Sequence, residues 1–356
     1  MHEARDRLAA KLDQVLEEHA ADGTAVAVAL VEHPGAEPLT RGRPANNTQE
    51  PRFLIYSITK TFTSALFLLL QESGELTLDD PLARRLPQVP RADRITLRRL
   101  LDHTAGIPDY GGLAAYHQAV RETPSRAWTF ERYAAETVDK GPLFEPGEGW
   151  AYSNPGYMLL RRIPERVTGL PYARTIDELI VKPLGLGSTK LAEGPADLTG
   201  LAPATSAALS LDGSPRDVRQ HYDPGWVSHG VLASSAADVA RFLSALFTGR
   251  LLSPASVTAM TSLTRVPVPG SQSDPQVRPY EWREPSYGLG LMADPAAPWG
   301  PIYGHNGGGP GYSASVFHAP DLGGATVAAI GSETEGFDAE QVVFDVFDAL
   351  SVTMRT

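Results

Sequence analysis

The sequence predicts an α/β protein in which strands near both ends of the chain share one sheet, with helices inserted between them. Residues 24–31, TAVAVALV, form a short apolar run rich in β-branched residues, which is typical of a buried strand. Two similar runs near the C-terminus, ASVFHAP and ATVAAIG, flank a turn at residues 321–324 and predict a strand pair. The chain between them favours helices separated by Gly- and Pro-rich loops. We therefore divide it into a sheet domain, residues 1–80 and 225–356, and a mostly helical domain, residues 81–224.

Amphipathic helices are predicted beside these strands. At the N-terminus, Leu8, Leu12, Val15 and Leu16 recur at helical spacing, and acidic residues interrupt any apolar run of the kind that a secretion signal contains. Further helices are predicted in FLIYSITKTFTSALFLLL, in SSAADVARFLSALFTG with its serine cap and terminal glycine, and in AEQVVFDVFDALS. Because no secretion signal is recognised, we expect a cytoplasmic protein, with a trimmed exported form as the alternative.

Composition disfavours several classes of function. Of the 356 residues, 42% are hydrophobic and 21% charged, as in soluble globular proteins, and the formal net charge of -11 disfavours nucleic acid and anionic membranes as partners. There is no cysteine, so neither a disulfide nor a thiolate is available. The longest apolar run, Ala65 to Leu70, is far shorter than the ~20 residues of a membrane helix. With no H-E-x-x-H, P-loop or G-x-S-x-G pattern, we expect no metal, cofactor or membrane span.

An S-x-x-K pattern is the first candidate for catalysis. Ser57 and Lys60 share one helix face near its N-terminus, where a hydroxyl and an amine can act as nucleophile and base. Arginine cannot supply the base, because a guanidinium stays protonated in proteins. Only five of the 31 basic residues are lysines, and only Lys60 has a serine three positions before it. Composition alone produces this pattern about once in a chain of this size, so a snorkelling lysine on a surface helix is the competing interpretation.

Two further patterns contain residues suited to proton transfer. Tyr152 and Asn154 lie in a Gly/Pro-rich loop before a helix; a phenol can relay protons, and an amide can hold both a lysine and a substrate carbonyl. The third pattern, GHNGGGPGY, places His305 and Gly307 just before a strand predicted from Tyr312, and its glycines let the backbone approach a ligand. A packed tyrosine beside a turn asparagine, and a Gly-rich hairpin loop, are the structural alternatives.

Other ring side chains give weaker signals. His103, in LLDHTAGIPDY, is more typical of a loop anchor than of a catalyst. Trp226 and His229, in GWVSHG, are candidates for lining a pocket, with core packing as an equal alternative.

The order and separations of S-x-x-K, Y-x-N and H-x-G resemble those of the serine β-lactamase and DD-peptidase superfamily. The tyrosine and histidine variants are similar to the branch that holds class C β-lactamases, D-alanyl-D-alanine carboxypeptidases, D-aminopeptidases and β-lactamase-like esterases. Other segments that resemble this family are LLLQESGELTLDDPLARRLP, ITLRRLLDHTAGIPDY, FEPGEGWAYSNPGYMLL, KPLGLGST and PSYGLGLM. The resemblance extends from about residue 20 to the C-terminus. It implies a β-lactamase/transpeptidase-like fold: an antiparallel sheet flanked by helices, an all-α domain, and an active site in the cleft between them.

The resemblance also implies catalytic roles. Ser57 would be the acylated nucleophile, and Lys60 the neutral base, alone or with Tyr152. Asn154 would orient Lys60 and the substrate, and His305 would take the place of the lysine in the family's third motif. For Lys60 to act as a base near neutrality its pKa must fall well below about 10.4, and we expect burial to lower it. The oxyanion hole implied by the resemblance consists of the N–H groups of Ser57 and Gly308.

Substrate contacts are expected from Asn306, Gly307, Tyr110, Trp226, His229 and Met292. Two of these positions depart from the family pattern. Asn306 stands where carboxypeptidases often have threonine, and Met292 where some carry a carboxylate-binding arginine. A weaker carboxylate clamp disfavours D-alanyl-D-alanine carboxypeptidase activity.

Several functions stay open at the level of sequence. The first is a serine hydrolase of small esters or D-amino-acid and peptide derivatives. The alternatives are a biosynthetic acyltransferase or peptide cyclase, a carboxypeptidase or β-lactamase, and a non-catalytic binding protein on the same scaffold. The expected partner is a small-molecule or peptide acyl donor, and the oligomeric state is not defined by the sequence.

Overall fold

The computed structural model describes residues 2–20, 24–43, 50–267, 282–332 and 337–355. Its strands are β1 (Val26–Val31), β2 (Leu39–Arg43), β3 (Phe53–Leu54), β4 (Lys190–Ala192), β5 (Thr205–Ser206), β6 (Arg216–Asp217), β7 (Val231–Ser234), β8 (Thr264–Arg265), β9 (Ser286–Tyr287), β10 (Met292–Asp294), β11 (Ile302–Gly309), β12 (Tyr312–Ala319) and β13 (Ala325–Ser332). Its α-helices are α1 (His2–His19), α2 (Thr59–Glu72), α3 (Leu97–Leu101), α4 (Ala114–Glu122), α5 (Phe130–Glu136), α6 (Asn154–Arg161), α7 (Pro164–Thr168), α8 (Tyr172–Ile176), α9 (Lys182–Leu184), α10 (Val218–His221), α11 (Ala236–Phe247), α12 (Pro254–Met260) and α13 (Ala339–Arg355).

An antiparallel sheet with the strand order β2-β1-β13-β12-β11-β10-β9-β8 forms the centre of the fold. Strand β1 pairs with β13 from Val26 opposite Gly331 to Val31 opposite Thr326. The neighbouring strands β12 and β13 form the hairpin predicted near the C-terminus. The prediction that strands from both ends of the chain share one sheet is therefore confirmed.

Side-chain size alternates along β1 and differs between the two faces of the sheet. Val26, Val28 and Leu30 pack in the apolar cluster that includes residues of α1 and α13. Ala27 and Ala29 belong to the larger cluster that includes residues of α2 and α11. Successive side chains of a strand point to opposite faces, so both faces of β1 are buried under helices.

The region 81–224 consists mainly of short helices and shares the larger apolar cluster with the sheet. It also contains strands that the sequence analysis did not predict. Strand β4 pairs with β7, which pairs in turn with β3, and β5 pairs with β6. Such short strands carry little local signal, because their stability comes from distant partners. The division into two domains stays a prediction, and the β4–β7 pairing crosses it.

The third sequence pattern lies on a strand and not in a loop before one. Strand β11 runs through it, and the hairpin turn follows at Pro310 and Gly311. The low strand propensity of glycine concealed this strand in the sequence. Because β11 is extended, His305 and Gly307 face one side of the sheet and Asn306 faces the other.

Within the described ranges, no helix combines the length and apolarity needed to cross a membrane. The same ranges contain no group of three or more His, Asp or Glu side chains placed to hold a metal ion.

Candidate active site

A tight turn between β3 and α2 presents Ser57. Tyr56, the residue before it, has a φ of 42°, in the left-handed region that costs a non-glycine residue about 1 kcal/mol or more. Its hydroxyl donates a 2.6 Å hydrogen bond to Pro310 O. A Cβ at Gly309 would lie 2.4 Å from the Tyr56 ring, so glycine makes room for it. The β11–β12 turn thus holds the strained residue that aims Ser57.

Lys60 lies one helical turn after Ser57 and has 0% exposure. Its Nζ is 3.1 Å from Ser57 Oγ, 2.7 Å from Asn154 Oδ1 and 2.8 Å from His229 Nε2. These three contacts account for all the hydrogens of a protonated amine, or for both hydrogens and the lone pair of a neutral one.

Burial shifts the pKa values of Lys60 and Tyr152 in opposite directions. Burial lowers the pKa of the Lys60 amine well below its ordinary value, and the Asp109 carboxylate opposes this only in part. Burial raises the pKa of the Tyr152 phenol, although its hydrogen bond with Ser57 works in the other direction. Near neutral pH the lysine is therefore the better proton acceptor of the two, and the tyrosine holds its proton.

The start of α6 places Tyr152 and Asn154 beside Ser57. The Tyr152 hydroxyl donates a 2.9 Å hydrogen bond to Ser57 Oγ. Ser153 caps the helix, its Oγ accepting a hydrogen bond of 3.0 Å from Gly156 N. Asn154 is therefore the first helical residue, and its side chain is directed at Lys60.

Asp109 orients Asn154, a function that the sequence analysis did not predict. Its carboxylate accepts hydrogen bonds from Asn154 N at 2.8 Å and from Asn154 Nδ2 at 3.3 Å. It also accepts one from Gly111 N at 3.0 Å. With the amide nitrogen held by Asp109, the amide oxygen faces Lys60. The segment IPDYGG was part of the family resemblance, but nothing in it indicates a partner 45 residues away.

His305 lies on β11 close to Tyr152, with ring centroids 6.5 Å apart. Its Nδ1 is 2.6 Å from Asn306 O, and its Nε2 is 2.9 Å from the hydroxyl of Tyr287. Burial and the nearby Lys60 lower the pKa of His305 to about 3, so the imidazole is neutral. Its hydrogen-bond partner is Tyr287, a second site residue that the sequence analysis missed.

Glycine at position 307 allows β11 to pass close to the nucleophile. A Cβ there would lie 2.2 Å from Ile55 O and 3.3 Å from Ser57 N. The next residue, Gly308, is exposed, and a Cβ on it would have no neighbour within 4 Å. The backbones of Ser57 and β11 therefore meet at the position where the oxyanion hole was predicted, and its composition stays a prediction.

Two predicted substrate contacts are instead core residues. Trp226 has 0% exposure, and its indole donates a 2.9 Å hydrogen bond to Pro124 O. Tyr110 has 3% exposure, and its hydroxyl accepts a 3.2 Å hydrogen bond from Ser228 N. We correct both assignments, because a large ring with a satisfied polar atom is a common component of a core.

Two other predicted contacts also need correction, and the contact predicted for His229 stays a prediction. Asn306 Nδ2 donates a 2.5 Å hydrogen bond to Glu340 Oε1 of α13, on the far side of the sheet. Met292 packs against the apolar cluster of that same face. His229 has 2% exposure and contacts Lys60 from within the protein. Of the predicted contacts, Gly307 is the one that the structure brings next to Ser57.

The loop anchor predicted at His103 is present. Its carbonyl oxygen accepts a hydrogen bond from Ala151 N at 3.0 Å, and its Nδ1 accepts one from Ser153 N at 3.1 Å. These contacts fix the loop that leads to Tyr152.

A serine beside a buried lysine and a neutral tyrosine, on an antiparallel sheet flanked by helices, is characteristic of the β-lactamase/transpeptidase class of proteins. The family model described as Beta-lactamase matches residues 8–345, and the chain belongs to this family. It is a serine hydrolase-type family with esterase, D-amino acid amidase and carboxypeptidase members.

Individual relatives align with most of the chain. Penicillin-binding protein 4* of Bacillus subtilis (strain 168) is 28% identical over 95% of this chain and 74% of its own length. Esterase EstB of Burkholderia gladioli is 27% identical over 84% of this chain and 86% of its own. Among solved structures, a D-stereospecific amidohydrolase from Streptomyces sp. is 31% identical, with a TM-score of 0.79 over 96% of this chain and 99% of its own.

Proposed function

We propose that this protein is a serine hydrolase that forms an acyl-enzyme on Ser57 and cleaves small esters or amides of D-amino-acid derivatives. The observation that carries the proposal is the pair of contacts at Ser57 Oγ, to Lys60 Nζ at 3.1 Å and to the Tyr152 hydroxyl at 2.9 Å. A buried amine and a protonated phenol on one hydroxyl supply a base and an acid to the same atom.

Acylation begins when Lys60 Nζ accepts the proton of Ser57 Oγ and Oγ bonds to the carbonyl carbon of the donor. The negative charge that develops on the carbonyl oxygen faces the N–H groups of Ser57 and Gly308. Tyr152 then gives its proton to the leaving amine or alcohol and recovers one from the Lys60 ammonium. Water completes the cycle: its oxygen attacks the ester carbon while Lys60 takes its proton, the bond from that carbon to Ser57 Oγ breaks, and Oγ takes the proton back from Lys60 as the acid leaves.

The surroundings of Ser57 favour donors without a terminal carboxylate. Neither position predicted to hold a carboxylate presents a cation to Ser57, since Asn306 contacts α13 and Met292 packs on the opposite face. The esterase and the D-stereospecific amidohydrolase among the relatives act on classes of bond that match this proposal. Neutral D-amino-acid amides and esters are therefore the first donors to test.

The test combines turnover with intact-mass measurement of the protein. Wild type, Ser57→Ala and Ser64→Ala are incubated with p-nitrophenyl esters, D- and L-alanine p-nitroanilides, penicillin and nitrocefin. Ser64 is a matched control, because it lies buried on the same helix and contacts Tyr157. We expect release from esters and D-amides by wild type and Ser64→Ala, and none above background from Ser57→Ala.

The same experiment separates the alternatives. A stable penicillin adduct with little turnover indicates a peptidase-like enzyme, and rapid nitrocefin turnover indicates a β-lactamase. An added amine that appears in the product indicates acyl transfer. Release that persists in Ser57→Ala, or a wild type that neither turns over nor gains mass, would contradict the proposal.

A further inference from the structure

Lys60 also contacts His229, a residue that has no function in the mechanism proposed above. Its Nε2 is 2.8 Å from Lys60 Nζ, closer than the 3.1 Å between Nζ and Ser57 Oγ. The imidazole has 2% exposure, and its Nδ1 has no hydrogen-bond partner among the described residues. Ser57 is partly exposed, whereas His229 is buried and lies against Lys60.

The position of His229 is fixed by the strand that follows it. Strand β7 begins two residues later and pairs with β3, which leads directly into the turn at Ser57. Leu232 O accepts a 3.0 Å hydrogen bond from Ile55 N, and Leu232 N donates one of 3.0 Å to Thr59 Oγ1. The segment that carries His229 is therefore hydrogen-bonded on both sides of the nucleophile.

The number of hydrogens on a neutral lysine determines which tautomer of His229 is compatible with Lys60 as the base. A neutral amine has two hydrogens and one lone pair. Asn154 Oδ1 can only accept, so it takes the first hydrogen. If His229 carries its proton on Nδ1, its Nε2 takes the second hydrogen, and the lone pair is left for Ser57. If the proton is on Nε2, His229 donates to the lone pair, and Lys60 cannot accept the serine proton.

We propose that His229 is a positioning residue: it accepts a hydrogen bond from Lys60 through Nε2 and thereby directs the amine lone pair at Ser57 Oγ. This inference rests on the proposed acyl-enzyme function. The positioning function also explains why a neutral imidazole, and not a charged side chain, lies at this position. A carboxylate in this place would hold Lys60 in its protonated form, whereas an imidazole satisfies the amine without adding charge.

The same contact serves the protonated lysine. When Lys60 takes the serine proton, its ammonium has three hydrogens. Asn154 and His229 already accept two of them, so only the third, on the Ser57 side, differs between the two states. The amine therefore changes its protonation without turning, and little reorganisation accompanies proton transfer.

The test compares His229→Leu, which lacks an acceptor, with His229→Gln, whose amide oxygen can accept. The control is His318→Leu, because His318 is also a buried imidazole but contacts Thr326 on β13. The ester substrate cleaved by wild type is used to measure the acylation rate constant and the half-saturating concentration. Circular dichroism and thermal unfolding verify that each variant is folded.

We expect His229→Leu to lower the acylation rate constant by about 10- to 100-fold, part of the 10²- to 10⁴-fold that a positioned base supplies. The half-saturating concentration should change little, because His229 is buried and contacts Lys60. On a logarithmic scale, His229→Gln should recover at least about a third of the decrease in the acylation rate constant caused by His229→Leu. His318→Leu should acylate at the wild-type rate. Equal rates for wild type and His229→Leu, or a Gln variant no faster than the Leu variant, would overturn the inference.

Two kinds of failure can be told apart. If wild type acylates Ser57 but His229→Leu does so at the same rate, only the role of His229 is wrong. If wild type neither turns over any donor nor gains mass on Ser57, the acyl-enzyme proposal fails and the inference fails with it.

Discussion

Two lysines of this chain show how strongly surroundings determine the chemistry of one side chain. Lys60 is buried, no carboxylate within the described ranges contacts it, and burial lowers its pKa. Lys182, on the surface, contacts Glu178 at 2.7 Å and Asp177 at 3.2 Å, and these hydrogen bonds raise its pKa. Lys60 is therefore suited to accept a proton, whereas Lys182 stays protonated. Burial without a counter-charge, and not residue type, distinguishes the candidate base.

The largest expected effect is the loss of activity when each lysine becomes arginine. Lys60→Arg should lower kcat/KM by about 10³-fold or more, because the guanidinium cannot accept the serine proton. Lys182→Arg keeps the surface charge and should retain wild-type kcat/KM. Steady-state kinetics with the preferred ester checks both variants. Near-normal turnover of a folded Lys60→Arg protein would show that Lys60 is not the base.

A smaller effect is expected at Asp109, the carboxylate that orients Asn154 and raises the pKa of Lys60. Asp109→Asn removes the charge that partly supports the protonated form of Lys60 and disturbs the orientation of Asn154. We expect kcat/KM to fall about 10-fold and the acidic limb of its pH profile to move to lower pH, since the pKa of Lys60 falls further. Asp139→Asn, at an exposed position, is the control. A limb that moves to higher pH would contradict this electrostatic argument.

The smallest effect concerns the free energy of unfolding as pH rises. The pKa of Lys60 is lower in the folded protein than in the unfolded chain, about 10.4, so the unfolded state binds the proton more tightly. The stability of wild type relative to Lys60→Met should therefore rise with pH between these two values, by at most about 1.4 kcal/mol per pH unit.

Lys182 should show the opposite sign in the same measurement. Its pKa is raised in the folded protein, so any stabilisation is present below about pH 10.4 and is lost as pH rises through the folded value. Urea unfolding of wild type, Lys60→Met and Lys182→Met across this range compares the two. If both differences change with pH in the same direction, the contrast between the lysines is wrong.

The sequence predicted best what local pattern determines. The apolar runs identified β1, β12 and β13, and the spacing of Ser57 and Lys60 predicted their contact, although Ser57 lies in the 3-10 turn Tyr56–Ile58 just before α2. It predicted less where partners are distant, as for Asp109 with Asn154 and for Tyr287 with His305. Such pairs form only after the chain folds, and neither periodicity nor composition indicates them.

The assignment of Asn306 failed for a more specific reason. A segment taken for a loop gives no rule for the direction of its side chains, whereas a strand alternates strictly. Had β11 been recognised, His305 and Gly307 would have been predicted on the nucleophile's side and Asn306 on that of α13. The glycines that allow the close approach to Ser57 are also what concealed the strand.

The pairing of β1 with β13 has a consequence for synthesis on the ribosome. Ser57 and Lys60 emerge early, but β11, which passes beside Ser57, and β13, which completes the pairing of β1, are made roughly 250 residues later. Until then β1 has an exposed edge and the nucleophile lacks one wall. The nascent chain therefore gains its catalytic geometry only after β11 and β13 have been made, and contacts of such long sequence separation predict slow folding.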